Sequence, residues 1–133
     1  YLLARIIKCN IVLMDLKYFD ISEFDSPDEK GSGNYMDSGL LYKIDLLRER
    51  YGKPIRITSG YRTESHNAAV GGVSNSSHLQ GLAVDIACTA SGDRHDIINE
   101  ALKLGFNRIG IANTFIHLDV DTAKPSGCVW VYN

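Results

Sequence analysis

The spacing of apolar residues along the chain predicts two amphipathic helices. The first begins at an N-cap, Asp37 or Ser38, and ends at Gly52, with apolar positions at Leu40, Leu41, Ile44 and Leu47. The second begins at Asp93 as its N-cap and ends at Gly105, with apolar positions at Ile97, Ile98, Ala101, Leu102 and Leu104. Each helix therefore has one face suited to burial against another element.

Shorter apolar runs predict a small sheet. The expected strands cover residues 55–58, 82–87, 108–112, 115–120 and 129–132. Along 82–87, apolar residues alternate with small or polar ones, which is the period of a half-buried strand. Asn113 and Thr114 alone separate two of the strands, the spacing of a tight hairpin, and a short helix is expected over 64–70. The pattern indicates one α+β domain with a small, mostly antiparallel sheet and flanking helices.

Residues 1–13 stand apart from this domain as an apolar stretch with Arg5 and Lys8 interspersed. The stretch lacks the positively charged start and the small-residue cleavage site of a signal peptide. A truncated export signal, an extra strand, and upstream sequence before a natural start at Met14 are three alternatives, and we favour the last. We therefore expect a single domain over residues 14–133, an ordinary length for one core.

Composition and charge narrow the classes of function. Hydrophobic residues make up 44% of the 133 residues and charged residues 23%, as in globular proteins. Fourteen Lys and Arg against sixteen Asp and Glu give a net charge of −2, which supplies no basic surface for nucleic acid. No apolar run reaches the roughly 18–20 residues of a membrane span. We expect a monomer with neither a nucleic-acid partner nor a membrane span.

The three cysteines, Cys9, Cys88 and Cys128, are widely spaced and form no CxxC pair. They therefore do not predict a thiolate zinc site or a redox dithiol. One disulfide with a spare thiol is an alternative to three reduced, partly buried cysteines, and we favour the reduced form.

Two of the four histidines lie in segments that suggest a metal site. His78 ends a polar loop and precedes Asp85 by seven residues, and alternation places Asp85 on the strand side that otherwise carries alanine. On the strand 115–120, His117 and Asp119 share the side opposite the apolar face. Two imidazoles and one carboxylate suit a catalytic zinc ion with an open fourth position. From spacing alone, solvated surface side chains are the alternative.

Three segments of the chain, ITSGYRT at 57–63, NSSHLQGLAVDI at 75–86 and FIHLD at 115–119, carry motifs of a known family. With these motifs the chain resembles peptidase family M15, the zinc D-Ala-D-Ala carboxypeptidases and peptidoglycan peptidases. ITSGYRT at 57–63 is similar to the Arg-bearing segment of that family, and NSSHLQGLAVDI at 75–86 fits its S-x-H-x-x-G-x-A-x-D signature. FIHLD at 115–119 supplies a third matching histidine. The resemblance extends from about Phe19 onward and is closest to the small subgroup common in phage and bacterial genomes. It implies the fold shared with the signalling domain of hedgehog proteins.

The resemblance implies one zinc ion held by His78, Asp85 and His117. It also implies that Arg62 lies near the scissile carbonyl and stabilises the oxyanion, a use that suits a fixed guanidinium. The alternative for Arg62 is a surface ion pair with a carboxylate such as Glu64.

The same resemblance implies substrate-binding positions beside the metal. Ser76 would help hold the substrate, or it would cap and brace its own loop. Tyr61 is expected at the substrate as well. Tyr61, Trp130 and Tyr132 are aromatic side chains that either line a cleft or pack in the core.

One position departs from the family pattern. Many members carry a Glu or Asp general base three residues before the last zinc ligand, and this chain has Thr114 there. Asp119 is the best replacement, since it lies on the same strand face as His117. Its alternative role is to orient the histidine. Glu64 and His66 are weaker candidates, and His95 is expected in solvent.

The sequence therefore favours a zinc peptidase that cuts peptidoglycan stem peptides, as a carboxypeptidase or an endopeptidase. The alternative is a zinc-containing module that binds the cell wall, or a structural part of a phage particle, without turnover. Either would act at the bacterial cell wall, after export or as a phage lysis or virion component such as an endolysin.

Overall fold

A computed structural model of the chain describes residues 16–132. The interpretations of residues 1–13, of a start at Met14 and of Cys9 lie outside this range. The α-helices are α1 (Ser38–Tyr51), α2 (Glu64–Ala69) and α3 (Ser91–Lys103). Short 3₁₀ helices cover Ile21–Phe24, Ser32–Tyr35 and Ser77–Gln80. The strands are β1 (Ile57–Ser59), β2 (Ala83–Ala87), β3 (Arg108–Ile111), β4 (Phe115–Asp119) and β5 (Cys128–Val131).

The five strands form one sheet in the order β1-β2-β4-β3-β5. Every neighbouring pair is antiparallel except β3 and β5, which run parallel. The predicted hairpin is present, because β3 and β4 pair directly and only residues 112–114 connect them. The predicted α+β class with a small, mostly antiparallel sheet is confirmed.

The hydrophobic core lies on one face of this sheet. Helix α1 buries the four apolar residues that its periodicity predicted, Leu40, Leu41, Ile44 and Leu47. The sheet contributes the apolar residues that alternate along its inner strands, which are Val84, Ile86, Ile109, Ile116 and Leu118. Helix α3 adds Ile97 and Ala101. The apolar residues that recur every second position in the strands and every 3.6 positions in the helices thus pack together on one face of the sheet.

The helix ends follow local chemistry with one exception. Asp37 caps α1 by accepting a hydrogen bond from the Leu40 amide, and Gly52 ends the helix in a left-handed conformation. The prediction that Asp93 caps the next helix is wrong. The N-cap position is Ala90, three residues earlier, and helix α3 begins at Ser91. Asp93 lies in the first turn, where it pairs with Lys53 at 3.0 Å. A carboxylate in the first turn stabilises the helix by interacting with the positive end of its dipole, without acting as the N-cap.

Strand β2 is more buried than its alternation predicts, since residues 83–86 are all buried. The 3₁₀ helix Ser77–Gln80 packs against it and covers part of the face opposite the core.

Cys88 is buried, Cys128 is half-exposed, and both are free thiols. Within residues 16–132, no helix has the length and apolar character needed to cross a membrane.

Candidate metal centre

A row of five residues crosses the sheet on the face opposite the core, one from each strand. Ser59 pairs with Asp85, Asp85 with His117, His117 with Gly110, and Gly110 with Trp130. Side chains opposite one another in a sheet point to the same face and lie close together. Two residues 32 positions apart, Asp85 and His117, are thereby brought into direct contact.

His78 reaches this row from the 3₁₀ helix Ser77–Gln80. The Ser76 hydroxyl starts that turn by accepting a hydrogen bond from the His78 amide at 3.3 Å. Nδ1 of His78 lies 2.7 Å from the Gly60 carbonyl oxygen. Because a carbonyl only accepts hydrogen bonds, the proton of His78 is assigned to Nδ1 and the lone pair to Nε2.

The three side chains converge with their ligand atoms within 4.8 Å of one another. His117 Nδ1 lies 2.9 Å and His78 Nε2 3.3 Å from the same oxygen, Oδ1 of Asp85. All three residues are buried. The sequence prediction that His78, Asp85 and His117 come together is therefore met by the geometry.

Asp119 lies on the far side of the His117 ring from Asp85. Its Oδ2 is 2.7 Å from His117 Nε2, whereas Asp85 faces Nδ1. Its Oδ1 accepts hydrogen bonds from Arg108 Nε at 2.7 Å and from the Asp121 amide at 3.1 Å. With both oxygens occupied and 1% exposure, Asp119 is enclosed behind the histidine.

The charges of the cluster depend on these contacts. Burial raises the pKa of Asp85, but the pKa is held well below its usual value, chiefly by the hydrogen bond from His117. Burial raises the pKa of Asp119 as well, and hydrogen bonds from His117 and Arg108 bring it below the ordinary value. Burial lowers the pKa of His117, and the two carboxylates that flank its ring raise it overall. Both carboxylates are therefore ionised at neutral pH.

This arrangement fits a divalent metal ion. His78 Nε2 is buried and forms no hydrogen bond to any part of the chain that the structure describes, although its lone pair points into the cluster. His117 can donate to two carboxylates at once only as an imidazolium, whereas a metal ion beside Nδ1 would leave the Nε2 proton for Asp119. A donor set of two imidazoles and one carboxylate is typical of zinc sites with an open position.

Arg62 lies beside the cluster with its side chain 15% exposed. Its guanidinium donates from Nε to Ser59 Oγ at 3.0 Å, and another nitrogen lies 3.4 Å from Asp85 Oδ2. The Arg62 amide also donates to the His78 carbonyl at 3.1 Å, which joins the two segments. Arg62 thus pairs with the carboxylate of the cluster and not with Glu64.

These residues form part of an open cleft of about 550 Å³. Its lining includes Thr58, Ser59, Arg62, His66, Val70, Gly71, Gly72, Val73, Ser76, His78, Asp85, Phe115, His117 and Tyr132. Ser76 and His66 are therefore on the cleft wall. Asp119, Thr114, Glu64 and Trp130 are not part of this lining, and His95 is exposed on α3 as expected.

Tyr61, expected at the substrate, does not reach the cleft lining. Its amide donates to the Phe24 carbonyl, and its ring packs on Tyr35 with centroids 5.3 Å apart. The preceding Gly60 passes so close to Phe24 that a Cβ would lie 2.7 Å from the Phe24 backbone. This close passage places Tyr61 against the N-terminal 3₁₀ segments.

Sequence reasoning missed several residues that support the cluster. Arg108 reaches Asp119 from β3 and also donates to the Pro125 carbonyl, and its guanidinium lies over the Trp130 ring at 5.0 Å. Ser77 Oγ donates to Asp121 Oδ2 at 2.7 Å, which ties the turn of His78 to the segment after β4. An Arg near a sheet or an Asp after a strand has no sequence signal of its own, because these contacts depend on strand order.

Comparison with known proteins agrees with this geometry. The sequence profile of a family described as Peptidase M15 matches residues 17–119. The chain belongs to the peptidase M15 family. Over 53 residues, or 39% of its length, the chain is 38% identical to a zinc D-Ala-D-Ala carboxypeptidase of Streptomyces albus G. That stretch spans 21% of the carboxypeptidase. The family expected from the sequence motifs is confirmed.

Proposed function

We propose that this chain is a zinc-dependent peptidase that hydrolyses peptide bonds in bacterial cell-wall peptidoglycan. The observation that carries the proposal is the convergence of His78, Asp85 and His117 on the wall of an open cleft. Membership in the M15 family and the similarity to a zinc D-Ala-D-Ala carboxypeptidase support the same chemistry and substrate class.

In this proposal, His78 Nε2, the Asp85 carboxylate and His117 Nδ1 would hold one zinc ion. When bound, zinc acts as a Lewis acid that polarises a carbonyl and lowers the pKa of water. The remaining tasks fall to the residues of the chain, which position the substrate, stabilise charge and accept a proton.

Arg62 is assigned to stabilise the negative charge that develops on the carbonyl oxygen during hydrolysis. Its guanidinium is mostly buried and already held by Ser59 and Asp85, so it need not reorganise during the reaction. A charged donor fixed in a site of low dielectric stabilises such charge more strongly than the same group in water.

Asp119 is assigned to orient His117 and not to accept the proton. Its two oxygens already accept hydrogen bonds from His117, Arg108 and the Asp121 amide, and it lies behind the ring, away from the cleft. A carboxylate on the remote nitrogen of a ligand histidine fixes the tautomer and increases the basicity of the ring. Of the two roles predicted from the sequence, the contacts support orientation.

His66 is assigned as the proton acceptor. Among the described residues that line the cleft, the sole carboxylate belongs to Asp85, which the metal would occupy. The His66 ring lines the cleft and makes no hydrogen bond to a described residue, so it is available for proton transfer. Histidine is the side chain most often used for this task.

The wall that faces the substrate is partly apolar. Val70 and Val73 are 53% and 63% exposed, Tyr132 is 43% exposed, and Phe115 packs on Tyr132 with centroids 5.3 Å apart. Exposed apolar groups on a cleft wall are suited to bury small aliphatic side chains such as the methyl group of alanine. This wall supports a substrate peptide rich in alanine.

The proposal is tested by digestion of defined peptidoglycan fragments. Protein loaded with zinc would be incubated with a stem pentapeptide that ends in D-Ala-D-Ala and with a cross-linked stem dimer, and the products would be identified by mass spectrometry. Loss of one terminal alanine indicates a carboxypeptidase, and an internal cut indicates an endopeptidase. We expect cleavage that stops on chelation and returns with added zinc.

Asp85→Asn is the matched test variant, because it keeps the size of the side chain and removes the central carboxylate. We expect it to lose both zinc and activity. Cleavage by protein shown to be free of metal would contradict the zinc peptidase. Zinc binding without cleavage of either fragment would favour the alternative, a cell-wall-binding module.

A further inference from the structure

Asn67 occupies a buried position next to Arg62 that neither the family motifs nor the metal cluster explains. Asn67 lies on α2 and is 4% exposed. A buried amide has to satisfy both an acceptor and its donors, so its partners define its function.

The two ends of the Asn67 amide join two parts of the cleft wall. Oδ1 accepts a hydrogen bond from a terminal nitrogen of Arg62 at 3.2 Å, and Nδ2 donates to the Val73 carbonyl at 2.9 Å. The Asn67 backbone carbonyl accepts from the Gly72 amide at 2.8 Å. A guanidinium only donates and a carbonyl only accepts, so the amide can be oriented in one way alone.

Gly72 makes room for this arrangement. A Cβ at position 72 would lie 2.0 Å from Asn67 Oδ1 and 3.1 Å from an Arg62 nitrogen. Even alanine would therefore displace the amide from Arg62. The neighbouring loop is shaped so that Asn67 can reach the guanidinium.

We propose that Asn67 is a positioning residue that holds the Arg62 guanidinium in register with the metal cluster. Arg62 has three side-chain partners, Ser59, Asn67 and Asp85, and each fixes a different nitrogen. Ser59 and Asp85 lie on the sheet, whereas Asn67 approaches from α2. Without Asn67, the guanidinium would keep only its contacts to the sheet residues Ser59 and Asp85. It could then rotate about the Cδ–Nε bond.

The kinetic form of this proposal depends on the proposed peptidase activity. Asn67→Ala is expected to lower kcat about 10- to 100-fold, the usual effect of losing a hydrogen bond to a charged group. Zinc content and KM for the stem pentapeptide should change less than threefold. Asn99→Ala, an exposed asparagine on α3, is the matched control and should behave as wild type.

A double-mutant cycle with Arg62→Lys separates positioning from general structure. Lysine lacks the planar fork that Asn67 holds, so Asn67→Ala should reduce kcat less than twofold when added to Arg62→Lys. Equal losses in both backgrounds would show that Asn67 acts through the fold and would overturn the proposal. If Asn67→Ala fails to fold, Gly72→Ala takes its place in the same cycle, since it displaces the amide and removes no polar group.

A second readout does not need activity. The Arg62 Nε–H group gives its own signal in ¹⁵N NMR spectra, and a fixed guanidinium exchanges its proton slowly. We expect this signal to be sharp in the wild type and in Asn99→Ala, and to broaden or shift in Asn67→Ala and Gly72→Ala. An unchanged Arg62 signal in folded Asn67→Ala would contradict the proposal, even if the wild-type protein cleaves no peptide.

Discussion

Gly110 and Trp130 lie opposite each other in the parallel β3–β5 pair, and the Trp130 indole fills the space that a side chain at position 110 would need. A Cβ on Gly110 would lie 2.7 Å from Trp130 Nε1 and 2.7 Å from a ring carbon of Tyr132. The indole leans over this gap toward His117, with ring centroids 5.5 Å apart. The absence of a side chain at Gly110 therefore lets two aromatic residues close the β5 side of the site.

Replacing Gly110 by alanine should displace both rings. We expect Gly110→Ala to lower the free energy of unfolding by about 1–3 kcal/mol, as overpacking does. Because Tyr132 lines the cleft and Trp130 contacts His117, KM should rise and zinc affinity should fall. Urea unfolding, steady-state kinetics on the stem pentapeptide and zinc titration measure the three effects.

Gly92→Ala is the matched control for that substitution. Gly92 lies in α3, and a Cβ there would meet no atom within 4 Å beyond its chain neighbours and the backbone of its own helix. Alanine stabilises a helix relative to glycine by about 1 kcal/mol, so the control should be neutral or slightly stabilising. If Gly110→Ala unfolds at the same urea concentration as wild type, the position of the Trp130 indole does not require a glycine at position 110.

Asp119→Asn tests whether Asp119 orients His117. The substitution weakens the carboxylate contact to His117 Nε2 and leaves the half-buried Arg108 without its ion pair to Asp119. We expect zinc affinity to fall about 10- to 100-fold, as is usual when the carboxylate behind a ligand histidine is lost. Zinc affinity within twofold of wild type, together with a large loss of kcat, would instead assign Asp119 as the general base.

His66→Gln tests the proton acceptor. Glutamine keeps a polar side chain on the cleft wall but cannot take up a proton near neutral pH. We expect kcat to fall at least about 100-fold, within the range that general base catalysis contributes, with zinc affinity unchanged. His95→Gln, at an exposed position on α3, should cleave at the wild-type rate. Normal turnover by His66→Gln would place proton transfer elsewhere.

Local sequence patterns predicted most of the elements, and together with the resemblance to the M15 family they predicted the members of the metal cluster. The N-cap and C-terminal glycine of α1, the apolar faces of the strands and the β3–β4 hairpin all depend on residues close in sequence. The shared face of His117 and Asp119 follows from strand alternation alone. For this reason, the side of the sheet that carries the site was predictable without knowledge of the strand order.

The features that the sequence did not predict depend on pairing between distant strands. The parallel placement of β5 brings Trp130 beside Gly110, and nothing near either residue indicates it. The choice between the two roles of Asp119 required Arg108, which reaches it across the β3–β4 pair. The sequence predicts the N-cap of α3 at Asp93 instead of Ala90, because an acidic residue in the first turn resembles an N-cap in sequence.

The position of the metal in a crystal grown with zinc tests the central claim most directly. Diffraction data collected on both sides of the zinc absorption edge locate the ion without reference to activity. We predict one anomalous peak about 2.0–2.2 Å from His78 Nε2, an Asp85 oxygen and His117 Nδ1. A zinc peak bound by other residues, with these three side chains away from it, would contradict the account.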